Sequence, residues 1–541
     1  MKKILAFVFL LTVALQAGAQ GWADALQLSE NDYLGTARSV GMGNAMTAVG
    51  GDLGSLTFNP AGSAVAGYSQ FTITPGLSVS TVTAQGSLLD NAGKPLGFED
   101  TYKYRKGRMT LPNFGAIMVY DTRNKSGLKR VSFGIVGNVT RDYTNHLRAT
   151  GTNDDNTLAG SLATQAIGFT PEELAGKFYA TGAPTWEAMV GYQSGIFGEL
   201  NGSYVGLTES MSAGPNPDVF LTDRIGQYYG LDRKGNKYDL LMNFAMDFND
   251  RFYVGANIGI TTLTYRQDET RAEEALSGID YGNGFQSLRM RSAYYDDGTG
   301  LYAKVGFIAR PIDGLRIGAA IQTPTVIQIR ETYQMEGHSV AQNEPMTASS
   351  PQDEWFYNVT SPFRVNAGIA YTIGQLGLLS ADYEYTDYSR MRLSAAYDSD
   401  YDYDFSGANL DIQDFLGPVH ALRLGAEIKP MPSMALRVGY NLTSGAQHNT
   451  LSGQDQVISL TTAERRDQLR TAVTFGVGYS SPGSFFMDAA VRFQYLPNEY
   501  FTPYWYYTGG GTSYIDNNFT TPEIGAQSAL FNALLTLGWR F

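Results

Sequence analysis

The 541-residue chain has no cysteine, only four histidines and, beyond its N-terminal segment, no apolar run long enough to form a membrane-spanning helix. The lack of cysteine excludes disulfides and thiolate metal sites. A membrane helix needs about 20 apolar residues in succession. This chain can therefore span a membrane only as a closed β-barrel, in which every backbone group is paired. The formal net charge of −13 argues against a nucleic-acid partner, which would require a basic surface.

The N-terminal segment reads as a secretory signal. Lys2 and Lys3 form a basic start, residues 4–15 are almost entirely apolar, and residues 17–19 (Ala-Gly-Ala) supply the small residues that signal peptidase requires. We predict that residues 1–19 are removed and that the mature chain begins at Gln20. Because residue 20 is not cysteine, a lipoprotein anchor is not indicated.

The last residues of the chain, Ser528 to Phe541, alternate with a period of two. One side of this predicted strand is apolar and the other is mostly polar, with Leu530 and Leu534 as exceptions. Such a strand suits a wall between lipid and a lumen, and a terminal aromatic residue is typical of the last strand of bacterial outer-membrane barrels. The content of 61 glycines and 35 tyrosines also favours barrel strands with aromatic girdles.

Alternation and turn residues predict fourteen strands, at residues 68–84, 107–121, 128–146, 236–249, 251–266, 286–310, 315–331, 355–373, 378–394, 418–429, 434–446, 468–480, 485–500 and 528–541. Their connections alternate between short turns and long loops. A soluble β-sandwich also alternates but does not segregate loop lengths in this way. We therefore predict an all-β fold over residues 68–541, a transmembrane antiparallel barrel of the Gram-negative outer membrane. Its short turns are expected to be periplasmic and its long loops extracellular.

Residues 20–67 precede the first strand and contain too much glycine, alanine and serine to form a membrane strand. A barrel of eight strands is filled by its own side chains, whereas 16–18 strands leave an aqueous channel, so fourteen strands leave a lumen that needs water, a plug or a ligand. We predict that residues 20–67 fold inside the lumen as a hatch. The alternative is a disordered periplasmic tail, but the segment is rich in apolar residues and nearly free of Lys and Glu.

Two runs in this segment, residues 35–45 and 51–62, resemble the hatch of the FadL/TodX family, whose members are outer-membrane channels for long-chain fatty acids and hydrocarbons. The sequence Phe58, Asn59, Pro60, Ala61 and Gly62 includes the most recognisable family signature. The resemblance implies a fourteen-stranded barrel with an N-terminal plug, uptake of hydrophobic ligands, and a sideways exit where an early strand kinks. The candidate positions for that kink are Pro112 in the second strand and Gly134 and Gly137 in the third.

The longest connection, residues 147–235, is expected to be partly helical. Thr170, Pro171 and Glu173 form a helix start, with a capping threonine, proline in the first turn and glutamate at the third position. This loop is rich in apolar side chains, and the candidates for an extracellular apolar groove are Leu174, Phe178, Trp186, Met189 and Phe197. Such a surface needs a partner. Either the loop folds on itself as a lid core, or it forms a groove that captures lipid-like ligands; the two are compatible.

Eleven charged residues are predicted to face the lumen, and five of them are the candidate lumen charges: Arg423, Glu427, Arg437, Arg470 and Arg492. Interior ion pairs that brace the wall and the hatch are their expected role. One or two of the arginines are alternatively receptors for a fatty-acid carboxylate, because guanidinium binds carboxylate bidentately. The sequence does not select which.

Catalytic and metal chemistry have little support. The histidines at 146, 338, 420 and 448 are scattered, which makes haem binding remote, and alternating aspartates at 398–404 lack a full Ca²⁺ ligand set. We predict no enzyme activity, no metal and no cofactor. The predicted function is uptake of long-chain fatty acids or similar apolar ligands by loop capture, hatch movement and lateral exit, by a monomer whose partners are outer-membrane lipid, the ligand and the outer-membrane assembly machinery. A passive porin or a structural or adhesive barrel is the alternative.

Overall fold

The computed structural model describes residues 21–89, 95–176, 183–213, 218–396, 404–451, 456–505 and 521–541. The predicted signal peptide lies outside the described residues, as do Phe178, Asp398, Asp400 and Asp402.

Fourteen antiparallel strands form a closed barrel, because each pairs with the next along the chain and the last pairs with the first. They are β1 (Gln70–Gly86), β2 (Tyr102–Asp121), β3 (Leu128–Asp142, continued by Asn145–Asn153), β4 (Ile225–Phe248), β5 (Phe252–Glu274), β6 (Phe285–Ile312), β7 (Leu315–Gln322 and Val326–Ala341), β8 (Asp353–Thr360 and Arg364–Ile373), β9 (Gly377–Asp387 and Arg392–Ala395), β10 (Pro418–Met431), β11 (Met434–Thr443), β12 (Arg470–Ser480), β13 (Phe485–Tyr495 and Glu499–Phe501) and β14 (Ile524–Arg540).

The predicted fold class, strand number and short turns are confirmed, but several strands are longer than predicted. Residues 147–153 of the β3 continuation and the first half of β4, from Ile225, were assigned to the 147–235 loop; they pair with each other instead. β5 was expected to end at residue 266 but continues to Glu274, which pairs with Ser287 of β6. These segments were missed because their charged and polar residues obscure the alternation once the strand leaves the lipid.

The outer face of the barrel is apolar over its middle. Outward side chains such as Met118, Phe133, Ile258 and Phe475 are at least half exposed, which a soluble protein rarely permits over so large a surface. Near the short turns the outward residues are aromatic, with contacts between the rings of Phe71 and Trp539, Phe485 and Trp539, and Phe252 and Phe307. An apolar band with an aromatic girdle on a closed antiparallel barrel places the protein in the outer membrane.

The helices lie in the N-terminal segment and the long loops. They are α1 (Trp22–Ser29), α2 (Ala37–Gly41), α3 (Gly62–Val65), α4 (Leu158–Gln165), α5 (Pro171–Leu174), α6 (Trp186–Gln193), α7 (Ser406–Phe415) and α8 (Thr462–Asp467), with 3₁₀ turns at Leu53–Thr57 and Tyr388–Arg390. Among the described residues, no helix is both long and apolar enough to cross a membrane.

Short strands complete the long loops. Phe197–Leu200 pairs with Ser203–Gly206, Glu209–Met211 with Val219–Leu221, and Asn449–Leu451 with Val457–Ser459, while Glu344–Ser349 adds to β7. At α5, Thr170 and Glu173 form the predicted capping box, with Pro171 at the first turn.

Residues 21–67, called the hatch below, lie within the barrel. α2 packs on β11, β12, β13 and β14, α3 packs on β3, β4 and β5, and the 3₁₀ turn packs on β2, β3 and β4. The Thr36 side chain caps α2, the Asp52 side chain caps the 3₁₀ turn, and the two side chains are joined by a 2.6 Å hydrogen bond. The small residues that exclude a membrane strand thus allow tight local turns whose polar groups cap one another.

Candidate functional site

The inner wall carries a belt of glycines on which the hatch backbone rests. The belt consists of Gly255, Gly306, Gly318, Gly368, Gly425, Gly439 and Gly476. Gly255 and Gly306, Gly318 and Gly368, and Gly425 and Gly439 are direct cross-strand partners. A Cβ on Gly439 would lie 2.1 Å from the backbone nitrogen of Gly43, and one on Gly255 would lie 2.5 Å from the carbonyl carbon of Pro60. At these positions the hatch backbone approaches the wall so closely that a side chain on the wall would not fit.

Buried ion pairs fasten the hatch to the wall between these glycines. Both guanidinium Nη atoms of Arg492 reach the Asp32 carboxylate, at 3.0 and 2.7 Å. Arg470 pairs with Glu30 of the hatch, and Glu427 accepts from hatch residue Arg38 at 3.3 Å.

The other predicted lumen charges complete the network. Arg437 donates to Glu427 at 2.7 Å and to Asp488 at 2.6 Å, and Arg423 donates to Glu384 at 3.0 Å. The Arg423 guanidinium also lies 5.0 Å from the centre of the Phe58 ring. The structure therefore places all five predicted charges in the lumen with protein partners, which is the bracing arrangement; their role toward a ligand stays a prediction.

The hatch motif lies against β5 and β6. The Asn59 side-chain amide donates to the Thr47 carbonyl and to the Phe307 carbonyl of β6, both at 2.8 Å, and its oxygen accepts from the Ala61 N–H at 3.1 Å. The Gly62 N–H donates to the Asn59 carbonyl at 3.0 Å, and a Cβ on Gly62 would lie 2.5 Å from the Ser55 hydroxyl. One asparagine thus ties two parts of the hatch and the wall together.

The wall is not continuous between β2 and β3. These strands pair only from Asn113–Asn138 downward to Asp121–Arg130. Above Asn113, β2 pairs with β1 alone, and the register between them shifts so that Leu111 and Pro112 stand opposite Pro75. The prolines lack the N–H groups that a continuous ladder would use. The upper half of β2 therefore has an edge without a neighbouring strand.

The hatch occupies the place of the missing partner on β3. The Leu34 N–H donates to the Val139 carbonyl at 3.0 Å, and the Asp32 N–H donates to the Thr140 carbonyl at 2.6 Å. The opposite edge of β3 pairs with β4 at the same height. A segment of the hatch is therefore a short additional strand at the break.

Above the break, β2 and the continuation of β3 meet through side chains. Leu147 and Ala149 of the continuation pack inward on Val82 of β1. Arg108 on β2 reaches Asp142 on β3, with 3.0 Å between Nη2 and Oδ1. Such contacts hold the two edges without the regular backbone ladder that closes the rest of the barrel.

Two of the three predicted kink residues lie at this break. Pro112 is in the register shift, and Gly137 is next to the last paired position. Phe114 and Tyr238 stack over Gly137 with 5.9 Å between ring centres, and a Cβ there would lie 2.7 Å from each ring. Gly134 pairs regularly with Ile117, so its placement as a kink was wrong: lack of a side chain alone does not interrupt a ladder.

The four predicted extracellular groove residues that the structure describes are buried. Leu174 and Phe197 belong to a lid core that includes Leu158, Leu162 and Met290, and Trp186 and Met189 are also buried. These side chains fill the interior of the loop rather than lining an open groove, because α4 and α6 fold over one another. Burial raises the pKa of Glu209 in this lid to about 7, and the Gly206 N–H donates to its carboxylate at 2.8 Å.

A second apolar cluster lies between the hatch and the loops. Trp22 and Leu28 of α1 pack with Ile412 and Phe415 of α7 and with Tyr357 of the wall. The rings of Trp22 and Phe415 are 5.6 Å apart. This cluster, which the sequence did not predict, is the apolar region directly above the hatch.

The scattered histidines form no metal site. His146 pairs with Asp232, His420 with the Tyr383 hydroxyl, and His448 with the Pro418 carbonyl. In the part of the chain that the structure describes, no group of three His, Cys, Asp or Glu residues is arranged to hold a metal ion.

Comparison with solved structures finds the same architecture. The crystal structure of a Pseudomonas aeruginosa FadL homologue matches over 94% of this chain and 99% of its own, with 13% identity and a TM-score of 0.51. The P. putida toluene transporter TodX matches at 11% identity over 95% and 100% of the two chains, with a TM-score of 0.47. The CymD monoaromatic hydrocarbon channel matches at 10% identity over 93% and 96%, with a TM-score of 0.43.

No protein-family model matches the sequence, and no curated protein is similar to it. The chain shares its fold with the FadL homologue. At this low sequence identity, the likeness shows a common fold and nothing further.

Proposed function

We propose that this barrel, built on the fold of the FadL homologue, is an outer-membrane channel for the uptake of hydrophobic molecules, with long-chain fatty acids or similarly apolar molecules as its ligands. The observation that carries the proposal is the break between β2 and β3, where the wall lacks a backbone ladder and the hatch supplies the missing partner. A plug that is itself part of an interrupted wall couples movement of the plug to a sideways opening.

The upper part of the route is apolar. Ligand enters past the lid core and reaches the cluster formed by α1, α7 and Tyr357 above the hatch. Burial of an apolar chain there is favourable by about 25 cal/mol for each Å² removed from water. Water-soluble solutes gain nothing from such a surface, which disfavours a general porin.

The lower part of the route is the seam at the break. The hatch meets β3 there through two backbone hydrogen bonds, from Asp32 and Leu34. Withdrawal of this short segment would leave the aromatic pair Phe114 and Tyr238 at the edge of a gap that faces lipid. The ligand then leaves sideways into the bilayer, and it does not pass through the packed lower part of the hatch.

The proposal is tested by uptake of a labelled long-chain fatty acid into cells with the native chain, with Asn59→Ala/Pro60→Ala, or with no barrel. The double substitution removes the side-chain donor to Thr47 and Phe307 and the rigid residue that follows it. We expect normal heat-modifiable insertion and normal ligand binding, but poor delivery. Equal uptake by native and empty cells would contradict the proposal and favour the structural or porin alternative.

Cross-linking tests the sideways exit directly. Because the chain has no cysteine, a pair such as Tyr104→Cys with His146→Cys, whose native rings lie 5.6 Å apart across the break, is unique and can be joined by a reducible thiol cross-linker. We expect cross-linking to stop uptake and reduction to restore it, while each single-cysteine chain treated alike remains active. Undiminished uptake by the cross-linked barrel would refute a sideways exit at this break.

A further inference from the structure

The upper half of β2 carries a basic patch at the break. Residues 103–108 contain Lys103, Arg105, Lys106 and Arg108 and no acidic residue, in a protein with a net charge of −13. Lys106 and Arg108 pair with Ser80 and Ser78, whose side chains face the lumen, whereas Lys103 and Arg105 pair with Thr83 and Thr81 and face outward. Two of the four cations therefore point into the proposed route.

The ion pair across the break is incomplete. Arg108 and Asp142 meet through a single contact of 3.0 Å. Arg108 Nε and Asp142 Oδ2 are buried and have no hydrogen-bond partner among the described residues. A guanidinium can hold a carboxylate through two parallel hydrogen bonds, and this bidentate arrangement is stronger than one contact. The Arg108 side chain is 30% exposed and Asp142 is 7% exposed, so the arginine is the accessible partner.

Lys106 supplies a second positive charge on the same inward face, two residues from Arg108. Within the described part of the chain it has no ion-pair partner. An incoming carboxylate would thus find one free ammonium and one guanidinium with an unused donor. Apolar surface lies on the outward, lipid-facing side of the same strand, at Met109 and Leu111.

We propose that Lys106 and Arg108 form a head-group site for an anionic amphiphile, a long-chain carboxylate, which displaces Asp142 from Arg108 and so releases β2 from β3. The exchange replaces one carboxylate by another on the same guanidinium, so the site loses no ion pair while the contact across the break is lost. The inference rests on the proposed uptake function and adds to it the residues that recognise the acid group, so that these two residues make an acid preferred over a neutral molecule of equal chain length.

The test measures uptake and binding of a long-chain fatty acid and of the alcohol of the same chain length. Arg108→Gln should reduce the acid-to-alcohol ratio by about tenfold or more, since it removes a charge-assisted hydrogen bond to the acid that the alcohol does not make. Lys106→Gln should reduce the ratio by a smaller factor. Arg105→Gln, on the outward face of the same strand, is the matched control and should leave the ratio unchanged.

Asp142→Asn has the opposite expected sign. Removal of the competing carboxylate should increase acid binding several-fold and leave alcohol binding unchanged, a gain that misfolding cannot imitate. The proposal is overturned if Arg108→Gln lowers acid and alcohol equally, if it acts like Arg105→Gln, or if Asp142→Asn weakens acid binding. Native cells that take up neither molecule would instead refute the channel; uptake of both with an unchanged ratio in every variant would refute only the head-group site.

Discussion

The two sides of the lumen hold the same hatch in different ways. At β10, β11 and β12, the ladder is complete and the hatch backbone rests on Gly425, Gly439 and Gly476. At β2 and β3 the ladder is interrupted, and Leu34 of the hatch pairs with Val139 of the wall. On the first side, the wall has no side chain at the contact positions, but its strands are fully hydrogen-bonded to one another. On the second it has lost backbone bonds, which the hatch replaces. Under the proposed function, only the second arrangement would open when the hatch moves.

The largest expected effect comes from removing the hatch. Its removal abolishes both the contacts with the wall glycines of β10, β11 and β12 and the pairing with β3 at the break; these two contact regions are the two seams. Deletion of residues 20–62 should raise the flux of sugars into proteoliposomes by about tenfold or more, because a fourteen-stranded wall leaves space inside. Liposome swelling measures this, with the native barrel as control. Unchanged flux would mean that the segment does not plug the lumen.

At the contacts between the hatch and the wall glycines, one added methyl group should displace the hatch. Gly439→Ala places a Cβ 2.1 Å from the Gly43 nitrogen. Because that nitrogen is a backbone atom and cannot rotate away as a side chain can, the hatch must shift at a cost of about 3 kcal/mol. Limited proteolysis should then cleave the hatch. Gly476→Ala, whose Cβ would lie 3.2 Å from the Gly41 Cα, should have a much smaller effect. Gly107→Ala, with no atom closer than 3.7 Å, is the control; equal protease resistance of all three variants would contradict the close seat.

Substitutions that remove ion pairs test whether charge, as well as backbone pairing, stabilises the hatch at the break. Asp32→Asn weakens the paired contact with Arg492, whose side chain is 3% exposed, and we expect hatch amides to lose about 2–3 kcal/mol of protection from hydrogen exchange. Asp297→Asn breaks the surface pair with Arg330, which is 49% exposed, and should change protection by less than about 1 kcal/mol. Similar losses in the two variants would show that burial of the hatch pair is unimportant.

A glycine-to-alanine substitution at the break between β2 and β3 should destabilise the fold less than Gly439→Ala does. Gly137→Ala would press only on the rings of Phe114 and Tyr238, which can rotate, so we expect a stability cost of about 1 kcal/mol. Ligand delivery should change more than hatch protection does, the reverse of Gly439→Ala. Fatty-acid uptake and limited proteolysis are measured for Gly137→Ala and Gly439→Ala in parallel. If the two variants change uptake and protease resistance equally, the two contact regions of the hatch do not differ in function.

The lid is a reference region that touches neither seam. Burial raises the pKa of Glu209 to about 7, above the value of about 4.3 in an unfolded chain. The protonated form is therefore favoured in the folded lid, and this contribution to stability is present at low pH and is lost as the pH rises through 7. The protection factors of residues 203–211 against hydrogen exchange, which compare each amide with its intrinsic rate at the same pH, should fall between pH 5 and pH 8, and Glu209→Gln should remove that fall. A lid with flat exchange protection would contradict the shift.

Much of the wall could be predicted from residues alone. The alternation in Ser528–Phe541 correctly separates lipid-facing Leu535 and Trp539 from the lumen, and its exception, Leu534, is explained only by the structure: it packs with Ala37 and Val40 of the hatch. The groove residues were identifiable as apolar, but their burial depends on how α4 and α6 meet, which a single sequence does not encode locally.

The sequence by itself determined the barrel, its strand number and the sidedness of its loops, because a period of two and the bilayer thickness act on each strand separately. The tertiary structure alone decided where the ladder breaks, which glycines receive the hatch, and that Gly134 is an ordinary wall residue while Gly137 is not. Those properties depend on register between strands and on contacts between distant segments, such as Leu34 with Val139 and Gly43 with Gly439. A glycine looks the same in the sequence whether a neighbour's backbone rests against it or only open space does.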